Sequence, residues 1–377
     1  MFGKLAKLPG KHGELLNSMS PTNPINAVNS KNSTNPLTED LDHILTHTHD
    51  LWEELRDQRI FITGGTGILG CWLLESFAWA NEELHLNAEA LVLTRNYEAF
   101  SNKAPHLATN PAIKFHIGDI RTFEFPTGKF SHIVHAAAET NVKLDNPTPL
   151  LMFETNMEGT RHALDFARSC GAHKFLLISS GAVYGKQPSE LKHIPEDYRG
   201  APDITDLNTA YGQAKRTAEF LCLAYAEQFG LAVKLARCFA FVGPYLPLDS
   251  GFAIGNFIRD ALQGKLIQVK GDGTPYRSYL YAADLAIWLW TILFNGQSGR
   301  PYNVGSEKDL TIQELSNIVA EAFPCVDVQI AKKVVPGKPP ERYVPSTRRA
   351  QTELGLRILI QLPEAIKRTV RWHMASM

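Results

Sequence analysis

Short apolar runs recur through the middle of the chain: Ile60 to Thr63, Ala90 to Thr94, Ile113 to Ile117, His132 to His135, Phe175 to Ser179 and Val233 to Ala236. Each has the length of a strand, and the stretches between them carry apolar residues at helical spacing. Strands alternating with helices predict an α/β fold with a doubly wound parallel sheet, because parallel neighbours need a crossover and both sheet faces need covering. Upstream, Leu41, Ile44, Leu45, Leu51 and Leu55 predict a packing helix over 37–58, with Thr38 as its cap. Residues 1–36 mix Asn, Ser, Pro and Lys without a period and read as a disordered arm. Beyond Val242 the pattern becomes irregular and rich in Gly, Pro and aromatics, as in a smaller lobe built from insertions. Helical spacing returns over Tyr281 to Phe294, and an apolar run at Tyr302 to Val304 is placed to rejoin the first sheet. The expected organisation is a sheet domain over 59–243, rejoined by 279–305, and a mixed lobe drawn from 244–278 and 306–377.

Composition narrows the classes. The 377 residues suffice for two lobes; 44% hydrophobic and 20% charged residues with a net charge of −1 describe a globular protein without the basic excess of nucleic-acid binding. Cys71, Cys170, Cys222, Cys238 and Cys325 are odd in number, scattered and never in a CxxC pair, which points to neither a disulfide framework nor a metal site. A reducing cytoplasm fits that usage. The most apolar segment, Leu285 to Phe294, is far shorter than the roughly 20 residues a bilayer needs, and no apolar signal core opens the chain. No membrane anchor is expected.

Candidate chemistry begins at Thr63-Gly64-Gly65-Thr66-Gly67-Ile68-Leu69-Gly70, where glycines occupy a strand-to-helix turn. Such a turn lets a pyrophosphate approach the backbone, where helix amides and the helix dipole favour the anion, so Gly64, Gly67, Ile68, Leu69 and Gly70 are expected to hold a dinucleotide. After the second strand, Leu93-Thr94-Arg95-Asn96 offers no carboxylate for a ribose 2′-hydroxyl, whereas Arg95 can clamp a 2′-phosphate. NADP is thereby favoured over NAD; otherwise Arg95 is a solvated loop arginine. Gly118-Asp119-Ile120 follows the third strand, where Asp119 and Ile120 are expected beside the cofactor, with Asp119 facing an adenine amino group or else serving as a turn or helix cap.

Leu176-Leu177-Ile178-Ser179-Ser180 ends a strand in hydroxyls, and 31 residues after Ser180 a helical pattern carries Tyr211-Gly212-Gln213-Ala214-Lys215. An i, i+4 pair shares a helix face, so the Lys215 ammonium can approach the Tyr211 phenol and stabilise its phenolate. With nicotinamide opposite, Tyr211 takes or returns a hydroxyl proton as hydride moves, and Ser180 bonds the same oxygen. Singly, these residues would be an amphipathic tyrosine, a surface lysine and strand-end caps. Their order after a dinucleotide loop makes the catalytic reading the stronger one.

With HAAAET from His135, NMEGT from Asn156, SSGAVYG from Ser179, YGQAK from Tyr211 and PYNVGS from Pro301, the chain from about Gln58 to Leu356 resembles the extended short-chain dehydrogenase/reductases, in particular the NAD(P)-dependent nucleotide-sugar epimerase/dehydratase family. The resemblance implies a Rossmann domain holding NAD(P), a C-terminal lobe holding a nucleoside diphosphate sugar, and a Ser180, Tyr211, Lys215 triad. It also implies Ala136, Ala137 and Ala138 beside the nicotinamide, Thr140 near the sugar, and a homodimer through two helices per subunit. Arg277, in Gly271-Asp272-Gly273-Thr274-Pro275-Tyr276-Arg277, looks like the family's arginine for the diphosphate, and Arg342 is a candidate second contact.

Three departures bear on the reaction. Relatives that eliminate water or decarboxylate generally carry an acidic residue where Gly181 and Ala182 stand, and elimination needs an acid for the departing hydroxyl. Ala240 stands where asparagine is common, and Ser278 where an aspartate is usual. What remains supports 4-epimerisation or reduction of a 4-ketosugar. The competing readings are a 4,6-dehydratase with its acid at an unexpected position such as Glu139, and a non-catalytic dinucleotide-sensing or RNA-binding protein.

Overall fold

Helix α1 (Thr38–Thr48) forms where Leu41 and Ile44 share a buried face, but it begins differently from the expectation. Its N-cap is Leu37, no side chain caps it, and Thr38 already lies in the first turn, where Glu39 and Asp40 supply the negative charge that favours a helix amino end. Nor does one helix run to residue 58. A 3₁₀ stretch, His49–Leu55, follows, tight enough to bury Trp52 against Trp290 at 4.7 Å between ring centroids. This computed structural model describes residues 35–139, 148–249 and 251–375; most of the expected arm and Thr140 lie outside them.

The alternating pattern continues as β1 (Arg59–Thr63), α2 (Ile68–Glu83), β2 (Glu89–Thr94), α3 (Tyr97–Lys103), α4 (Pro105–Ala108), β3 (Ile113–Ile117), β4 (His132–His135), α5 (Pro149–Cys170), β5 (Lys174–Ser180), α6 (Ala210–Phe229) and β6 (Ala232–Cys238). Beyond these come β7 (Phe241–Val242), α7 (Ala253–Leu262), β8 (Ile267–Val269), β9 (Tyr276–Arg277), β10 (Leu280–Tyr281), α8 (Ala282–Asn295) and β11 (Pro301–Val304). The chain then forms β12 (Leu310–Thr311), α9 (Ile312–Glu321), β13 (Val328–Ile330), β14 (Arg342–Tyr343), α10 (Arg348–Leu354) and α11 (Leu362–Ala375). Every apolar run predicted as a strand forms one, and β11 rejoins the first sheet beside β6.

Among the described residues, seven parallel strands lie in the order β11, β6, β5, β4, β1, β2, β3. The order reverses between β1 and β4, so their carboxyl ends open a crevice, the place where ligands bind in doubly wound sheets. Alternation splits the core: Ile60 and Ile62 of β1 face one cluster with α1, α2 and α8, while Phe61 faces another with α5 and α6. Every residue from Ala282 to Phe294 is buried, which explains why α8 is apolar nearly all round, its buried Asp284 accepting from Leu359 N and Ile360 N. Thr148 caps α5 by accepting from Leu151 N at 3.2 Å, and Gly171 (φ 74°) and Gly230 (φ 70°) end α5 and α6 in the left-handed conformation that glycine adopts freely. Short ladders hold the remaining strands: β9 between β12 and β14, β8 beside β13, and β7 beside β10.

Candidate active site

At the crevice the glycine turn is made of backbone. Gly64 has φ 70°, and a Cβ there would lie 2.4 Å from Ala137 N, so the end of β4 passes through space that only glycine leaves open. Gly67 caps α2, and Cys71 N makes the first helical bond, 2.9 Å to Gly67 O. The amides of Ile68, Leu69 and Gly70 precede that bond and are the orphan donors of a helix start, a fitting cradle for a pyrophosphate. Thr63 Oγ1 bonds His135 Nδ1 at 2.8 Å and accepts from Ala137 N at 3.2 Å, while His135 Nε2 meets Thr160 Oγ1 at 3.1 Å. Burial lowers His135 to a pKa of about 3, so this imidazole is a neutral strut that fixes Ala136 to Ala138 without adding charge to the crevice.

Gly64, Gly67, Ile68, Leu69, Gly70, Ala136, Ala138, Ser180, Tyr211, Lys215, Arg277 and Arg342 line one cavity of about 1440 Å³. Four other sequence candidates stand outside its lining. Ala137 is nearest, with its N–H spent on Thr63. Arg95 is 69% exposed, with Nη2 3.7 Å from Glu139 Oε2. The Asp119 carboxylate accepts from Arg121 N and Nε, each at 2.9 Å, and Thr122 N and Phe123 N bond Asp119 O. That is the turn role, and the Arg121 hydrogen bond lowers the Asp119 pKa despite partial burial. Ile120 is buried against Gly159 in the second core cluster.

Tyr211 and Lys215 sit one turn apart at the start of α6, and Ser180 ends β5 with its hydroxyl accepting from Ala182 N at 3.2 Å. The shared helix face does bring the Lys215 ammonium over the Tyr211 ring. Lys215 Nζ donates to Ile178 O at 2.9 Å and stands 5.9 Å from the centre of the Tyr211 ring. Burial, the dominant influence on both, raises the Tyr211 pKa and lowers that of Lys215 to about 8, because each charged form loses its hydration. The neighbouring Ser180 side chain partly offsets the rise at Tyr211. Beneath the hydroxyls, Ser179 Oγ donates to Glu219 Oε1 at 2.5 Å, and Arg237 grips the same carboxylate, with Nη2 at 2.7 Å. Arg237 Nη1 also reaches Tyr184 OH at 2.8 Å, so the strand ends are braced by a buried network.

Across the cavity, Arg277 Nη1 donates to Tyr276 O at 2.8 Å. Arg342 pairs with Asp309 at 2.7 Å and covers the Tyr276 ring at 3.9 Å, so much of its charge is already answered. Ala240 lines the cavity, and the buried Ser278 hydroxyl has no hydrogen-bond partner among the described residues. Sequence reasoning missed Tyr343 and Phe239. Their rings lie 4.6 Å apart, and a Cβ on Gly181 would meet Phe239 Cζ at 2.6 Å and Tyr343 OH at 2.7 Å. The signal available was the glycine itself, an unusual neighbour for a strand-end hydroxyl pair. Glu139, the alternative acid, is absent from the cavity lining and has its carboxylate by Arg95.

A family model described as the NAD dependent epimerase/dehydratase family matches residues 60–305. The chain is 29% identical over 315 residues to UDP-glucuronic acid decarboxylase 1 of Arabidopsis thaliana, covering 83% of this chain and 69% of the relative. Its fold matches that of DesIV, a dTDP-glucose 4,6-dehydratase from Streptomyces venezuelae solved with NAD bound, at a TM-score of 0.70 and 26% identity, covering 84% of this chain and 97% of that one. UDP-glucose 4-epimerase from Thermotoga maritima, solved with UDP-glucose, matches at a TM-score of 0.70 and 20% identity over 84% of this chain and 99% of that one, a likeness of fold.

Proposed function

The chain belongs to the NAD dependent epimerase/dehydratase family, and from that premise we propose that it moves hydride at a ring carbon of a nucleotide sugar, either epimerising C4 or reducing a 4-ketosugar. One observation carries this: Ser180, Tyr211 and Lys215 face the same cavity as the glycine cradle, and its volume of about 1440 Å³ has room for a dinucleotide beside a nucleotide sugar. A bound nicotinamide supplies the hydride acceptor or donor. Tyr211 accepts the proton of the sugar hydroxyl as hydride leaves the same carbon, or returns it on reduction, while Ser180 bonds that oxygen. Re-reduction of the ketone on its other face is epimerisation. Arg277 meets the diphosphate through charge-assisted hydrogen bonds. NADP is favoured because Arg95 follows β2, where a carboxylate would otherwise bond the ribose 2′-hydroxyl of NAD. A second copy pairs through the outer face of α5 and α6, where Leu150 and Phe220 are exposed.

The crowding at Gly181 speaks against dehydration. An acidic side chain there would collide with Phe239 and Tyr343, Ala182 offers only a methyl group, and the Glu139 carboxylate is turned to Arg95. Likeness to UDP-glucuronic acid decarboxylases favours one second reading. Oxidising C4 of a hexuronic acid gives a β-keto acid, which loses carbon dioxide by breaking its own C5–C6 bond, so no elimination acid is required.

The test is an absorbance assay of the reduced nicotinamide with nucleotide sugars, their 4-keto forms and a nucleotide-linked uronic acid. Stoichiometric loss of NADPH with a 4-ketosugar identifies a reductase, an isomeric product at constant absorbance an epimerase, and carbon dioxide release the second reading. Tyr211→Phe should lower kcat by about 10²–10⁴, the usual worth of general acid–base catalysis, with cofactor affinity retained. A variant as active as the parent removes Tyr211 from the chemistry.

A further inference from the structure

Helix α6 is fastened to the end of β5 at two points, one helical turn apart. Lys215 Nζ donates to Ile178 O at 2.9 Å, and Glu219 Oε1 accepts from the hydroxyl of the next residue, Ser179, at 2.5 Å. Lys215 and Glu219 stand four residues apart on α6 and both are buried, so ammonium and carboxylate share one helix face. The turn before them carries Tyr211, and the residue after Ser179 is Ser180. The fastening at Glu219 therefore sets how the groups proposed to meet the sugar stand towards one another.

The proposed chemistry leaves Glu219 unused, yet burying a carboxylate is costly unless it is paired and hydrogen-bonded. Arg237 supplies the pair, with Nε 3.0 Å from Oε1 and Nη2 2.7 Å from Oε2. The sheet itself places this guanidinium, since Arg237 of β6 is in register with Ser179 of β5 on one side and with Asn303 of β11 on the other. Its Nη1 lies 2.8 Å from Tyr184 OH, which donates to Asn303 Oδ1 at 2.8 Å. Around Lys215 stand the Tyr211 ring, Cys222 of the same helix, Cys238 of β6 and His135 of β4. Burial raises both thiols and the phenol, so all three stay uncharged, and it lowers His135 to about 3, which leaves the imidazole neutral. Among the described residues that leaves Glu219 as the anion beside Lys215, with Arg237 as the cation behind it.

We propose that Glu219 is a positioning residue: it binds α6 to the end of β5 and holds the Lys215 ammonium beside Tyr211 with its charge, at a strength that Arg237 sets. This rests on the reading of Tyr211 and Lys215 as the pair that serves the sugar hydroxyl. A carboxylate freed of its guanidinium favours the ammonium more, and a missing carboxylate favours it less. The two members of one ion pair thus act on the lysine in opposite senses, although both serve the same fold.

The experiment labels lysine with ¹³C at Cε, assigns the Lys215 signal by its loss in Lys215→Met, and follows its shift against pH. The parent should titrate at about 8. Glu219→Gln should lower that midpoint by about 1 or more, as expected on losing a neighbouring opposite charge, and Arg237→Gln should raise it by about 0.5 or more. Both variants should melt at lower temperature than the parent. Midpoints that stay in place, or that move in the same direction in both variants, overturn the proposal and leave Glu219 and Arg237 as a structural pair. Should either variant fail to fold, Glu219→Asp decides, because it keeps a carboxylate for Arg237 but draws it back by one carbon. Its midpoint should fall below that of the parent, and no fall overturns the proposal too. None of these readings needs turnover, so a chain inert towards every nucleotide sugar would sink the proposed function and leave the titration standing. In an active chain the alkaline limb of kcat/KM should follow the same two displacements with the KM of the cofactor unchanged, a pattern that a merely structural pair would not give.

Discussion

The two ends of the cavity are built in different ways. The end proposed for the cofactor is backbone: residues 63 to 70 turn from strand to helix, and the selective feature is the missing side chain of Gly64. The end proposed for the sugar is side chains: Phe239 just after β6, with Arg277, Arg342 and Tyr343 brought from distant parts of the sequence by a ladder only two residues long. A backbone site is specified locally and tolerates no addition. A side-chain site is specified by packing, and each member can be removed and read separately.

The sharpest way to break that contrast is to add one carbon at the cofactor end. Gly64→Ala forces a non-glycine residue to φ 70°, a conformation costing about 1–2 kcal/mol. Its methyl would also stand 2.4 Å from Ala137 N, so the turn must open. Cofactor affinity, read by quenching of protein fluorescence on NADPH addition, should fall by about 100-fold, or 2.7 kcal/mol, and the thermal midpoint should drop. Unchanged affinity would mean the cradle does not bind the dinucleotide.

At the sugar end the two arginines should behave differently. Arg277→Ala removes a guanidinium free to meet a diphosphate, and losing a hydrogen bond to a charged group, worth about 1.5–3 kcal/mol, raises the KM of the nucleotide sugar by about 10- to 100-fold. Arg342→Ala instead strands Asp309, its partner at 2.7 Å, so its main effect should be on the thermal midpoint, with a smaller change in KM. Initial rates and melting curves on the same preparations separate the two. Equal KM effects would show that Arg342 serves the ligand as much as the fold.

The same contrast explains what could be read from the sequence. Periodicity carries strands such as β2 and β4 to within a residue of their ends, because a parallel strand buried along its length reads as a mostly apolar run. The glycine loop, Tyr211 and Lys215 are legible because their geometry lies within one turn or one helix. The Asp119 carboxylate is legible only as a choice between two roles, of which the turn is the one found; the Arg121 contact that accompanies it leaves no periodic trace. Tyr343 is hidden for the opposite reason. Its approach to Gly181 spans 162 positions of sequence and depends on β9 and β14 pairing in one particular register. Spacing does give the shared helix face that brings the Lys215 ammonium over the Tyr211 ring, but not the bond the ammonium also makes to the carbonyl of Ile178, which comes from another element.

The smallest effect expected is a pH dependence at the seam between the two ends, where Lys215 is 2% exposed and its pKa is lowered by burial from 10.5 to about 8. Its ammonium is the form that donates hydrogen bonds, so kcat/KM, which reports the free enzyme, should fall as pH rises through about 8. Stability should move the other way. The folded pKa lies below the unfolded value, so between about 8 and 10.5 the unfolded chain holds the extra proton, and raising pH through that window favours the folded state. Rates and thermal midpoints measured across it on the protein and on Lys215→Met should therefore diverge, with the midpoint of the parent gaining on that of the variant as its activity declines. A parallel fall of both in the parent, with the same pH slope of the midpoint in Lys215→Met, would mean that Lys215 keeps its proton throughout and that burial does not tune it.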